Sequence, residues 1–180
     1  GLGEVSHYTK ECYDLKHQII LKLIEKGFGG LILEVDFGQA VLWNEYVTDG
    51  KGDIDNLIAE SGWFTYRTQE FKDLLIAIRE HNKTADSPFQ VFGMEMTAQN
   101  HNLAWLAKYF SQNLTGSDSL VSALKAERKI VAFQPHERSE VKDYWQLHYA
   151  VSDILTENET SLRAKGGDRS FEIASQMGEI

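Results

Sequence analysis

A chain of 180 residues, 42% hydrophobic and 25% charged, suits one globular domain with a real core rather than a disordered segment. Its net charge of −9 argues against a nucleic-acid binder, which needs a basic face for phosphates, and against attraction to an anionic membrane surface. The single cysteine, Cys12, excludes an internal disulfide and a cysteine-cluster zinc site, and no apolar run reaches the length of a membrane span.

The chain opens on Gly1-Leu2-Gly3-Glu4, with no initiator Met and no leader-like charged and apolar regions, and residues 171–180 stop inside another periodic element. The expectation is a fragment of a longer, cytoplasmic protein. Within it, 1–180 reads as a single α/β domain, with 1–97 as a sheet-and-site half and 98–180 as a mainly helical half. Three glycosylation sequons, at Asn82, Asn113 and Asn158, are short enough to arise by chance.

Gly1-Leu2-Gly3 suits the tight exit of a strand, because glycine tolerates backbone angles closed to other residues. Glu4 and His7 follow, three residues apart, just before a helical pattern from Thr9 to Lys26. Thr9 reads as its N-cap and Gly27 as its stop. Cys12, Leu15, Ile19, Ile20 and Leu23 gather on one side of that helix. Lys16 falls inside the same stripe, which makes it either a snorkelling side chain or a lysine held near a carboxylate. Residues 29–36 then form a continuous apolar run ending in Glu34 and Asp36, as a strand buried on both faces of a parallel sheet requires.

Residues 39–48 read as a second helix, and residues 49–53 as a polar loop too poorly spaced for calcium or phosphate binding. An aromatic cluster, Trp63 to Tyr66, carries Arg67, which either stacks on the rings or points at an anion. Thr68 caps a helix over 69–81, and residues 89–96 make a second apolar strand ending in Glu95. Beyond Thr97, helices are expected over 102–112, 119–127 and 141–158. Residues 129–133 are open between strand and helix, Pro135 is a break, and Gly166-Gly167 precede a closing helix. His81, His101, His136 and His148 lack ligand-like spacing and read as surface or capping residues.

In open parallel α/β sheets, ligands bind at the carboxyl ends of the strands. Glu4 and His7 at one turn, Glu34 on the next strand and Glu95 on the third all head for that edge. Singly, each acid reads as a cap or a surface residue; with His7 they make a candidate site. A histidine oriented by a carboxylate can act as a general base near neutral pH.

The ordered set Gly3-Glu4-x-x-His7, Lys16-His17, Leu33-Glu34, Trp43-Asn44-Glu45-Tyr46, Tyr66-Arg67-Thr68 and Phe92-Gly93-Met94-Glu95-Met96 resembles the erythromycin esterase family, well as far as Thr97 and thinly after it. The resemblance implies a central, mostly parallel β-sheet flanked by helices, a deep cleft and a largely helical C-terminal half. It also implies hydrolysis of an ester or lactone by water activated through His7, with Glu4 as companion acid and Glu34, Arg67, Lys16 and Glu95 lining the cleft. Lys16 stands where macrolide-inactivating members carry arginine, and Glu95 where aspartate is common. The family's later histidine segment is not found here, so the fragment is expected to lack part of the apparatus.

The chemistry is consistent with those residues. His7 can take a proton from water, and Arg67 or Lys16 can meet the oxyanion. No Gly-x-Ser-x-Gly elbow occurs, which favours direct attack by water over an acyl-enzyme. The expected partner is a small-molecule ester or lactone, not nucleic acid or membrane, and no cofactor is required. One alternative is a divalent metal held by Glu4, His7, Glu34 and Glu95. Others are a non-catalytic metal- or haem-binding homologue and a degenerate homologue without turnover.

Overall fold

A computed structural model describes residues 1–3, 7, 9–95, 100–131 and 138–179. The chain divides into two compact units, Gly1–Glu95 and Met96–Ile180.

In the first unit, α1 (Lys10–Glu25) begins after the N-cap residue Thr9, whose carbonyl accepts from the amides of Cys12 and Tyr13. It ends at Gly27, which takes the left-handed φ of +84° that suits glycine. Ile20 and Ile24 are its buried residues. Leu15, expected on the core side, is 57% exposed; of the stripe read from the sequence Ile20 is buried, joined by Ile24 outside it, while Cys12, Ile19 and Leu23 are half-buried. Residues 1–3 are exposed and lie in no strand, so the strand exit expected there is not seen.

Strand β1 (Gly30–Asp36) is followed by α2 (Phe37–Asp49). Asp36 caps that helix, its Oδ1 accepting from the Gln39 amide at 2.5 Å, and Gly50 closes it at φ +70°. The polar loop then hands over to a short helix, α3 (Ile54–Ala59), capped by Asp53. Six residues are too few to show a period, so α3 has no signature in the sequence. A 3-10 turn (Phe64–Tyr66) leads into α4 (Gln69–Asn82), where Thr68 Oγ1 accepts from the Phe71 amide as expected of a cap. Strand β2 (Gln90–Glu95) completes the unit.

The two strands pair in parallel, with Leu31 beside Val91, Ile32 beside Phe92 and Leu33 beside Gly93. The register then shifts, so that Asp36 lies opposite Glu95. At the shift the strands press together: a Cβ on residue 93 would lie 2.6 Å from the carbonyl oxygens of Val35 and Asp36. Glycine is required there by close approach. The expected parallel pairing is present, and among the described residues the sheet has these two strands. One face of it meets α1, α2 and α4 in a core that includes Val35, Trp43, Phe71, Leu75, Ile78 and Val91. Trp43, Tyr66 and Phe71 meet edge to face or tilted, with centroids 4.7–5.5 Å apart. Phe64, counted with this cluster on sequence, is exposed instead.

The second unit is helical in its described residues: α5 (Asn100–Asn113), α6 (Asp118–Val131), α7 (Arg138–Glu157), α8 (Glu159–Gly166) and α9 (Asp168–Glu179). Residues 129–131, open between strand and helix on sequence, continue α6, whereas 132, 133, Pro135 and His136 lie outside the described residues. Phe110, Leu124, Leu155, Leu162 and Ala174 are buried. Gly167, at φ +82°, turns the chain between α8 and α9. Arg163 fastens that corner, donating to Glu159, Asp168 and Glu172 at 2.6–3.2 Å and lying 4.2 Å over the Phe171 ring. Among the described residues no helix is long and apolar enough to cross a membrane.

Candidate active site

The carboxyl edge of the sheet is where the sequence residues were expected to meet. Glu95 ends β2 as read, and is half-buried. Glu34 does not end β1. The strand runs two residues further, and Asp36 is the acid facing Glu95 across the sheet. The reason is local: Asp36 is both the last strand residue and the N-cap of α2, which holds it almost fully buried. Glu34 is exposed, on the sheet face away from the helical core.

Tyr66 reaches this edge from the 3-10 turn, its hydroxyl donating to the Glu34 carbonyl at 3.3 Å. One residue before it, the Thr65 carbonyl accepts from the Tyr13 hydroxyl of α1 at 2.7 Å. The Lys10 ammonium, in the first turn of α1, pairs with Glu70 of α4 at 3.1 Å and with Asp14 at 3.0 Å. Through these bonds the start of α1 is tied to segment 65–70, and that segment to the end of β1. Glu70 sits in the first turn of α4; its own amide N–H, then Lys10, hold its carboxyl below the usual range. Asp14, then Glu70, raise the Lys10 ammonium above its usual value.

His7 lies in an exposed turn two residues before Thr9, at the end of α1 that these bonds anchor. Glu4, its expected companion, lies outside the described residues. Arg67 is exposed, and its guanidinium donates from Nε at 2.9 Å and Nη2 at 2.5 Å to the Ser61 carbonyl. This backbone acceptor, rather than an aromatic face, fixes its direction. Lys16 is half-buried, with its ammonium 5.5 Å above the Tyr13 ring. An ammonium over an aromatic face is a third arrangement, beside the snorkelling side chain and the carboxylate-held lysine open on sequence. Among the described residues no group of three or more His, Cys, Asp or Glu is placed to hold a metal ion. His148, read as a surface residue, is half-buried and meets Trp145 edge to face.

Tyr13 carries no signal in the sequence and Tyr66 reads there only as one of the aromatic cluster; their hydroxyl contacts with the Thr65 and Glu34 carbonyls reveal both as braces. Several residues that gave the chain its recognisable order prove to be architectural. Asn44 Oδ1 accepts from the Val91 amide at 2.9 Å, joining α2 to β2. Trp43 is fully buried, and Thr68 is a cap.

Comparison with known proteins agrees with this architecture. The chain is 30% identical over 97 residues to an erythromycin esterase type II from Escherichia coli, a match covering 53% of this chain and 23% of that protein. A crystal structure of a Bacillus cereus protein superposes with a TM-score of 0.74 at 26% identity, covering 99% of this chain and 46% of the other. A succinoglycan biosynthesis protein shares the fold at a TM-score of 0.65 and 17% identity, again over 99% of this chain and 46% of the other. The chain thus spans less than half the length of each of these relatives. The model of the erythromycin esterase family matches residues 24–176; it extends well past Thr97, where the motif resemblance thins, and it starts after His7. The chain belongs to the erythromycin esterase family.

Proposed function

We propose that this chain supplies part of the active site of a hydrolase that cleaves a small-molecule ester or lactone by direct attack of water. His7 takes the proton from that water, and Glu4 orients the imidazole and stabilises its charged form. Arg67, already directed by the Ser61 carbonyl, offers its remaining N–H groups to the oxyanion that grows on the attacked carbonyl. Lys16, Glu34 and Glu95 line the cleft. In this reading the parallel pair belongs to a central, mostly parallel sheet, the setting is cytoplasmic, and neither nucleic acid nor membrane is a partner.

Family membership supports the reaction class. The single structural observation that carries the site is the chain of bonds from α1 to the sheet edge, Tyr13 to Thr65 and Tyr66 to Glu34. It joins the element that follows His7 to the strand that bears Glu34. The substitution His7→Gln in the full-length protein, assayed against a panel of esters and lactones, is the test. Hydrolysis should fall by about 10²–10⁴-fold, the usual weight of a general base. Unfolding stability should stay within about 0.5 kcal/mol, as for an exposed position. Normal turnover in the variant would sink the mechanism, and loss of the fold would make His7 structural instead.

A further inference from the structure

Arg67 takes its direction from a backbone atom, so its aim depends on whatever fixes that atom. The Ser61 carbonyl receives two guanidinium N–H groups, from Nε and Nη2, and leaves the others for a ligand. Ser61 itself is fully buried. Its hydroxyl closes on the same loop, donating to the Trp63 carbonyl and accepting from the Trp63 amide, both at 3.2 Å. That is the local bonding of a turn-forming serine, not the setting of a nucleophile. The 3-10 turn completes the ring: the Trp63 carbonyl accepts from the Tyr66 amide at 3.0 Å and the Phe64 carbonyl from the Arg67 amide at 3.1 Å.

This ring is tied to α2 at Gly62, whose amide donates to Gln39 Oε1 at 3.3 Å. Gln39 is as deeply buried as Ala40, Trp43 and Val47 of the same helix. An amide at that depth costs free energy unless it is hydrogen-bonded, and the bond to the loop shows what it is there to hold. The Gln39 backbone amide donates in turn to Asp36 Oδ1. One residue in the first turn of α2 therefore registers both the acid opposite Glu95 and the loop that carries the acceptor of Arg67.

We propose that Gln39 is a positioning residue for hydrolysis, an inference that rests on the oxyanion role given to Arg67. Through the Gly62 amide it holds the Ser61 carbonyl, and through that carbonyl the guanidinium, in register with the carboxyl edge of the sheet. An oxyanion donor acts by being in place before the charge develops, and a displacement of about 1 Å can cost about 10²-fold in rate.

The test uses the full-length protein carrying Gln39→Leu, which keeps the volume and removes Oε1; Gln39→Met, unbranched, replaces it if the leucine packs badly. The Arg67 Nε–H resonance, assigned by its loss in Arg67→Ala, should exchange with solvent at least about fivefold faster in the Gln39 variant. In hydrolysis, kcat should fall about 10- to 10²-fold with KM within about twofold, because the contact is made in the transition state. The same substitution in an Arg67→Ala background should cost less than about twofold. Unchanged exchange would overturn the proposal whatever the rate does. So would an equal loss of kcat with and without Arg67, since Gln39 would then act through the fold at large. Faster exchange in the Gln39 variant, with Arg67→Ala as active as the parent, would remove the oxyanion role alone and leave Gln39 as the residue that aims the guanidinium.

Discussion

At the scale of single residues, the recognisable positions divide into those that build the edge and those left free to act on a substrate. Asn82 makes the point for building: its amide donates to the carbonyls of Val47 and Phe89 and accepts from the Phe89 amide, all within 2.8–2.9 Å. These bonds tie the end of α4 to α2 and to the residue before β2. Gly93 is the sharper case. Its missing Cβ is what lets β2 lie against the Val35 and Asp36 carbonyls where the register shifts. Gly93→Ala should therefore cost about 1–3 kcal/mol, the usual price of forcing an added carbon into a packed site. Urea unfolding measures this, and an unchanged midpoint would show that the strands can spread at no cost.

At the scale of elements, the join between α1 and α4 is electrostatic as well as packed. Glu70 has a carboxyl lower in the fold than in the unfolded chain, through its own amide first and Lys10 second. Its contribution is complete above the unfolded pKa and disappears as pH falls through the folded one. The Lys10 ammonium is shifted upward, by Asp14 first and Glu70 second, so its contribution is complete below its unfolded pKa and is lost as pH rises through the folded one. Glu70→Gln should lower the melting temperature at neutral pH. The gap from the parent should close as the solution is acidified through the carboxylate range. A gap that stays constant with pH would mean that packing, not charge, joins the two helices. Lys10 is exposed and Glu70 half-buried, and salt should weaken the effect.

At the scale of the whole molecule, the chemistry proposed needs no metal, and the full-length enzyme should keep its activity after exhaustive chelation. Activity lost on chelation and restored by one divalent ion would instead favour a metal-activated water held by the same acids. Within the first unit, three helices and a 3-10 turn between two parallel strands put Asp36, Glu95, Glu34 and the Tyr66 brace at one end of the sheet. Within the second, Arg163 ties α8 to α9 through three carboxylates, two of them across the Gly167 turn. Burial by neighbouring packing raises the Tyr109 hydroxyl above its usual range, with Arg163 pulling the other way.

The sequence by itself determined the parts that rest on local periodicity and capping. Thr68, Gly27 and Gly167 stop or start helices through their own backbone and side-chain preferences, the apolar runs at 29–36 and 89–96 carry enough hydrophobic surface to become strands, and the ordered motifs pointed to the family that comparison bears out. It also put Glu95 at a strand end. What it could not settle depends on contacts between residues far apart in the chain. Which acid faces Glu95 follows from the register shift at Gly93, which no single strand encodes. That Leu15 faces out while Ile24 faces in depends on how α1 rolls against α4. That Tyr13 and Tyr66 are braces depends on carbonyls contributed by other elements. Only tertiary packing places a donor from one segment within reach of an acceptor from another, and it is there that the candidate site was decided.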